Sequence, residues 1–197
     1  MNYFGSPDKL LSVAEFKKLH LGANRFKLDH VTRHRHIEKV GFHIVTTELI
    51  EGLAPLIEGE KIVEVMAGSG FLSACLQKKG VKIEASDNHT WWAENQGRDY
   101  LWKHTLYTDV VRKDCAEAVK GADTVIMCWP YMDNNCVRVL DAMKPGAVLL
   151  HQGEPPGGCT GVEDFWDTTG CEVIEELEAV HLQFPGLYDR WMRWRKP

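Results

Sequence analysis

The alternation of apolar runs with amphipathic stretches predicts an α/β fold built on a doubly wound, mainly parallel sheet. Three observations carry this. Ile62, Val63 and Val65 are apolar and β-branched, which suits a short strand buried on both faces. That strand runs directly into Ala67-Gly68-Ser69-Gly70, and Phe71–Lys79 then reads as a helix that Gly80 stops. Strand and helix signals continue to alternate as far as Ala147–His151, the order expected of repeated β-α units.

The elements follow in chain order. Residues 1–45 read as a helical extension. In it Ser12-Val13-Ala14-Glu15 fits a capping box for a short helix ending near Gly22, and Asp29–Val40 fits a second helix stopped by Gly41. Residues 46–197 read as the main domain. Thr46 or Thr47 caps a helix carrying Leu49, Ile50, Leu53, Leu56 and Ile57 on one stripe. After the strand over 61–66 and the helix over 70–79 come strands at 81–86, 110–112, 123–128 and 147–151, with a helix over Asn134–Met143. Asn88–Tyr107 is rich in aromatics (Trp91, Trp92, Tyr100, Trp102), with Thr90 as a cap and core packing as its main role. Val173–Leu182 and Tyr188–Lys196 alternate and predict a closing antiparallel pair.

Composition narrows the class. The chain has 197 residues, enough for one domain with a sizeable core, and a net charge of −5, which does not advertise nucleic acid. Its six cysteines form no CxxC pair, and several fall in apolar segments, so free thiols in a reducing, cytoplasmic setting are expected. No apolar run is long enough for a membrane span. His30, His34, His36 and His43 lie among Arg33, Arg35 and Lys39, but no acidic or cysteine ligand follows at zinc-like spacing. A solvated basic helix face without metal is the expectation there.

The chemistry concentrates where the strands end. Strand, glycine turn and helix together form a nucleotide-cradling device, because glycines let a ligand approach the backbone and the helix N-terminus is electropositive. Glu64 places a carboxylate inside an apolar strand, and burial of a carboxylate needs a reason. Asp87 closes the next strand, where an acid can take both hydroxyls of a ribose. A strand-end acid is normally solvated, so Asp87 is expected to matter for binding and little for folding.

At these residues the chain resembles the class I S-adenosylmethionine-dependent methyltransferases. Glu64-Val65-Met66-Ala67-Gly68-Ser69-Gly70 looks like their first motif, Asp87 like the acid ending their second strand, and Asp114-Cys115 like the pair beside the adenine. Lys144-Pro145-Gly146 matches the turn before their fifth strand. Met66 stands where the family usually has its first glycine; methionine holds extended φ/ψ, so the strand is expected to run through it. A narrower resemblance, to small methyltransferase-like proteins without a settled acceptor, rests on Cys128-Trp129-Pro130-Tyr131, Gly153-Glu154 with Gly158–Gly161, and Phe184–Arg190. The resemblance implies a Rossmann-like seven-stranded sheet and S-adenosylmethionine as cofactor. It implies cofactor contacts from Thr46, Glu64, Ala67, Gly68, Ser69, Gly70, Asp87, Asn88, Asp114, Cys115 and Cys128.

The fourth strand delivers Trp129-Pro130-Tyr131 beside the reacting methyl group, with Pro130 restricting Trp129 to extended conformations. Trp129, Pro130, Tyr131 and Glu154 are therefore the candidate acceptor wall, and Tyr131 and Glu154 the candidate catalytic groups. His151 and Asp133 are further candidates for a general base. The acceptor atom, and whether the acceptor is a small molecule, a protein or RNA, stay open. Two rival functions stand beside methyl transfer: S-adenosylmethionine binding without catalysis, and nicotinamide-dependent oxidoreduction. The second leaves Glu64 unexplained.

Overall fold

The structure, a computed structural model, describes residues 5–21, 30–90 and 106–197. Trp91, Trp92, Tyr100, Leu101 and Trp102 lie outside the described residues. The strands are β1 (Ile62–Val65), β2 (Ile83–Asp87), β3 (Val110–Arg112), β4 (Thr124–Cys128), β5 (Val148–Gly153), β6 (Glu172–Val173) and β7 (Arg190–Arg195). They form a seven-stranded sheet in the order β3-β2-β1-β4-β5-β7-β6, parallel except that β7 runs antiparallel to both neighbours. The helices are α1 (Val13–Phe16), α2 (His30–Lys39), α3 (Thr47–Leu53), α4 (Phe71–Lys78), α5 (Cys115–Ala118), α6 (Asn135–Ala142), α7 (Glu163–Thr169) and α8 (Glu175–Glu178). No described helix is long and apolar enough to cross a membrane.

Side-chain alternation along the strands divides the core into two layers. Ile62, Ile83, Ile126, Val148 and Leu150 point to one face and pack on α3, α4 and Leu177 of α8. Val63, Val65, Val125, Met127 and Leu149 point to the other and pack on Ala118 of α5, Val139 and Leu140 of α6 and Phe165 of α7. Phe71 at the start of α4 is completely buried and meets Tyr107 edge-on at 4.8 Å. Burial of a side chain of that size contributes about 2–3 kcal/mol.

Register fixes the site. Val65 of β1 pairs with Ser86 of β2 and with Met127 of β4, so Met66, Asp87 and Cys128 stand level at the carboxyl edge. The order of strands reverses between β1 and β4, and ligands of such sheets collect at that switch point.

Several local expectations need correction. β1 ends at Val65, because Met66 has φ 55° and is not extended. Among the described residues the other non-glycine positions in this left-handed region are His89 (φ 59°) and Trp129 (φ 51°). Each of the three follows the end of a central strand. Left-handed backbone crowds a Cβ, so Met66→Gly is expected to be more stable than Met66→Ala by about 1 kcal/mol in urea denaturation, the reverse of their usual order in a strand. Trp129 is not held extended by Pro130. Its N–H donates to the Gln152 carbonyl (2.7 Å), which ties the residue after β4 to β5.

Val173–Leu182 is not a strand beyond Val173. Glu175–Glu178 is helical, with Ile174 and Leu177 buried at helical spacing and acids in the first turn. α7 was not foreseen: it lacks a side-chain N-cap and shows itself only by Phe165 and Thr169, buried four apart, and by Gly170 at φ 49°. The described part of the N-terminal extension packs on the sheet domain. Ser12 makes the expected capping box with Glu15, and Phe16 and Ile44 share a cluster with Leu182 and Phe184. His36 and His43 are buried, so the α2 region is not a solvated face throughout.

Candidate active site

The turn after β1 is built to expose backbone. Met66, Gly68 and Gly70 all have positive φ, so the chain reverses within five residues. Gly68 N–H donates to Asp87 Oδ2 (2.9 Å), and Asp87 Oδ1 accepts from His89 N–H (2.7 Å). Asp87 is only 6% exposed and braces the turn against the end of β2. Ser69 is buried, and its hydroxyl donates to the Val40 carbonyl (2.7 Å), tying the turn to the segment after α2.

Glu64 is buried in β1 on the α4 side. Its Oε2 accepts from the Ser73 N–H (3.1 Å) and the Ser73 hydroxyl, so it satisfies a free donor in the first turn of α4. Burial raises its carboxyl pKa to about 7, the two Ser73 bonds opposing the shift and the Asp87 charge adding to it.

A cavity of about 270 Å³ opens over this turn. It is lined by Glu64, Ala67, Gly68, Ser69, Asp87, Asn88, Cys128, Trp129, Pro130 and Tyr131, all expected from sequence. Asp133 also lines it, with both carboxylate oxygens engaged by Asn135. Val40, Gly41, Phe42, His43, Met66, Thr90 and Asn135 line it without having been foreseen. The 40–43 wall was missed because its only signal was Gly41 after a basic helix. Phe42 stacks on Trp129 with ring centroids 5.5 Å apart and 26° between planes. Cys128 is buried, and that burial, with Glu64 and Asp189 nearby, pushes its thiol pKa well up.

Other candidates stand elsewhere. Thr46 is spent as the N-cap of α3, its hydroxyl oxygen accepting from Leu49 N–H. Gly70 caps α4, and a Cβ there would lie 2.8 Å from Val110 Cγ2, so this glycine serves packing toward β3. Asp114 caps α5 and pairs with Arg138 (2.9 Å), while Cys115 contacts Asn135; neither lines the cavity.

Glu154 does not line the cavity either. Its Oε2 accepts from Cys159 N–H and the Cys159 thiol, each at 2.9 Å, and its Oε1 accepts from Tyr188 N–H (3.1 Å). These bonds, the thiol's first, hold its pKa below the ordinary glutamate value. Glu154 thus braces the Pro155–Gly161 loop and the approach to β7, which suits neither acceptor contact nor proton abstraction. His151 is buried against Phe165 and Trp166 on the α7 face, where burial lowers its pKa to about 4. Among the described residues no three His, Cys, Asp or Glu side chains group as a metal site.

No family model matches the chain. Among curated proteins it is 29% identical over 109 residues to the tRNA (uracil(54)-C(5))-methyltransferase of Pyrococcus abyssi, covering 54% of this chain and 27% of that protein. It is 26% identical over 139 residues to the protein of the same name from Pyrococcus furiosus, covering 70% and 33%. The chain thus spans a third or less of the length of these relatives. Among solved structures, an S-adenosylmethionine-dependent O-methyltransferase of Thermotoga maritima aligns with a TM-score of 0.49 at 16% identity, covering 78% of this chain and 66% of that one. The P. abyssi tRNA enzyme in complex with S-adenosylhomocysteine aligns with a TM-score of 0.45 at 19% identity, covering 75% and 37%. Strand order, the reversed β7 and a glycine-turn cavity at the carboxyl ends of β1, β2 and β4 give this chain the fold of the class I S-adenosylmethionine-dependent methyltransferases.

Proposed function

We propose that the chain is an S-adenosylmethionine-dependent methyltransferase. One observation carries the reading: a single cavity joins the glycine turn, a buried acid on β1, the acid ending β2 and the aromatic exit of β4. The residues suit the cofactor. Asp87 ends β2 in the cavity wall, where a carboxylate suits a ribose, and Glu64 offers a carboxylate to the cationic end of the ligand. A nicotinamide dinucleotide has no use for that acid. S-adenosylmethionine brings both the methyl group and its own leaving group, so the chain's task is to orient the acceptor and exclude water.

The acceptor atom we infer is a heteroatom. The Pyrococcus relatives act, by name, on C5 of a tRNA uracil. Methylating an unactivated ring carbon calls for a nucleophile such as a thiolate to activate the ring. Cys128, the cysteine lining this cavity among the described residues, is held as a thiol. A nitrogen or oxygen acceptor needs no such group. An RNA acceptor is compatible with the names of the relatives and is tested by methyl incorporation into RNA and into free nucleosides.

Calorimetry tests the cofactor. S-adenosylhomocysteine is expected to bind at least tenfold more tightly than NAD, a difference of about 1.4 kcal/mol or more. The opposite order overturns the reading. Binding without S-adenosylhomocysteine production from S-adenosylmethionine, across nucleosides and RNA, favours the non-catalytic alternative.

A further inference from the structure

The charge of the chain is unevenly spread. Residues 1–45 carry eight lysines and arginines against four aspartates and glutamates, and residues 46–197 carry fifteen against twenty-four. The first segment is therefore net +4 and the remainder net −9. A basic segment on an acidic protein attracts polyanions locally, against the sign of the whole.

The fold brings this segment to the cavity. Val40, Gly41, Phe42 and His43 follow α2 directly and form one wall. Arg35 and Lys39 are exposed and four residues apart, so they share an outward face of α2. Phe16 meets the His36 ring edge-on at 6.0 Å, which sets the exposed Lys17 and Lys18 beside the same helix. Toward its other end α2 carries Arg33, whose guanidinium lies 6.0 Å from the Phe184 ring. Four residues past that ring, Tyr188 is 71% exposed. Tyr131, 59% exposed, stands at the cavity itself. With ten residues α2 is about 15 Å long. It thus spans from the neighbourhood of one exposed tyrosine to the wall of the cavity that holds the other, with cations along its length.

We propose that α2 and its flanks form a docking strip for single-stranded RNA, which delivers one nucleotide to the cavity. This names the acceptor class for the methyltransferase reading above and rests on that reading for its chemistry. Cations that follow a phosphate backbone, joined to aromatic faces on which bases stack, are the surface that a single strand needs. A duplex keeps its bases stacked inside and has no use for the tyrosines. An acidic peptide would use the cations alone.

The test is fluorescence anisotropy on the whole chain saturated with S-adenosylhomocysteine. The probes are a labelled RNA single strand of about twelve nucleotides, the same sequence as a duplex, and a polyglutamate peptide of equal charge. The single strand is expected to bind at least tenfold more tightly than the other two. Its affinity is expected to fall with a log–log salt slope of about −3, the value for about four neutralised phosphates. Arg35→Glu with Lys39→Glu is expected to weaken the single strand tenfold or more and to flatten the slope by about 1 or more. Lys82→Glu with Lys120→Glu makes the same charge change at the amino edge of the sheet and is expected to stay within threefold. Tyr188→Ser is expected to cost at least fivefold. S-adenosylhomocysteine affinity, measured by calorimetry, is expected to stay within threefold throughout. Absence of single-strand binding at low salt, equal binding of duplex or polyglutamate, or an equal loss from the two double variants overturns the proposal. Failure of the wild-type chain to bind S-adenosylhomocysteine is a separate result that removes the cofactor reading; the RNA titrations on the ligand-free protein still decide the role of the strip.

Discussion

An Asp87→Ala protein is expected to bind S-adenosylhomocysteine about ten- to a hundred-fold more weakly and to be less stable by about 2–4 kcal/mol. The first effect follows from losing charge-assisted hydrogen bonds to a ribose, worth about 1.5–3 kcal/mol. The second follows from the unliganded geometry. Asp87 accepts the N–H groups of Gly68 and His89, and without the carboxylate both donors lose their partner at a largely buried position. Asp87→Asn keeps one carbonyl oxygen and is expected to recover part of the stability. Urea denaturation and calorimetry on the two variants measure the effects separately. Unchanged stability in Asp87→Ala would mean that water replaces the carboxylate at the turn, and unchanged affinity would remove Asp87 from the cofactor site.

The stability of the ligand-free protein is expected to fall between about pH 4.5 and pH 7 through Glu64. Its pKa is raised from 4.5 to about 7 in the folded chain, chiefly by burial. Between those values the folded state holds a proton that the unfolded state has released. Folding therefore loses free energy as pH rises, by up to about 3 kcal/mol in all, and the loss is complete above pH 7. Glu64→Gln has no such proton. Denaturation of both proteins at intervals from pH 5 to pH 8 should show the variant gaining on the wild type across this range and running parallel above it. A stability difference that does not vary with pH would mean that Glu64 stays ionised, its two Ser73 hydrogen bonds outweighing its burial. Saturating S-adenosylhomocysteine, whose amino group is cationic, is expected to favour the ionised carboxylate and flatten the wild-type profile.

The sequence carries the central part of this molecule clearly and its flanks poorly. β1, its turn and α4 are legible because one short stretch combines β-branched residues, glycines and a helix stop. For the same reason Glu64, Gly68, Ser69, Asp87, Cys128, Trp129 and Tyr131 are legible as neighbours in one cavity. Backbone conformation is not legible in the same way. Met66 and Trp129 are residues that ordinarily avoid positive φ, and only tertiary contacts force them there. Glu154 shows the limit of reasoning from strand ends: β5 delivers it to the correct edge, but three hydrogen bonds turn its carboxylate into the following loop. His43 is the reverse case. A histidine beyond a basic helix resembles a surface residue until the fold brings the Val40 carbonyl onto Ser69.

That contact between Ser69 and Val40 bears on how the chain can be divided. The order of elements in the sequence suggests a cut after residue 45, with a self-contained sheet domain downstream. Such a cut would remove Phe42 and His43, and with them one wall of the cavity, along with the carbonyl that anchors the glycine turn. Anyone grafting this module onto another protein, or trimming it for expression, therefore has to carry α2 and its trailing segment along. The functional unit is wider than the sheet domain that the sequence outlines.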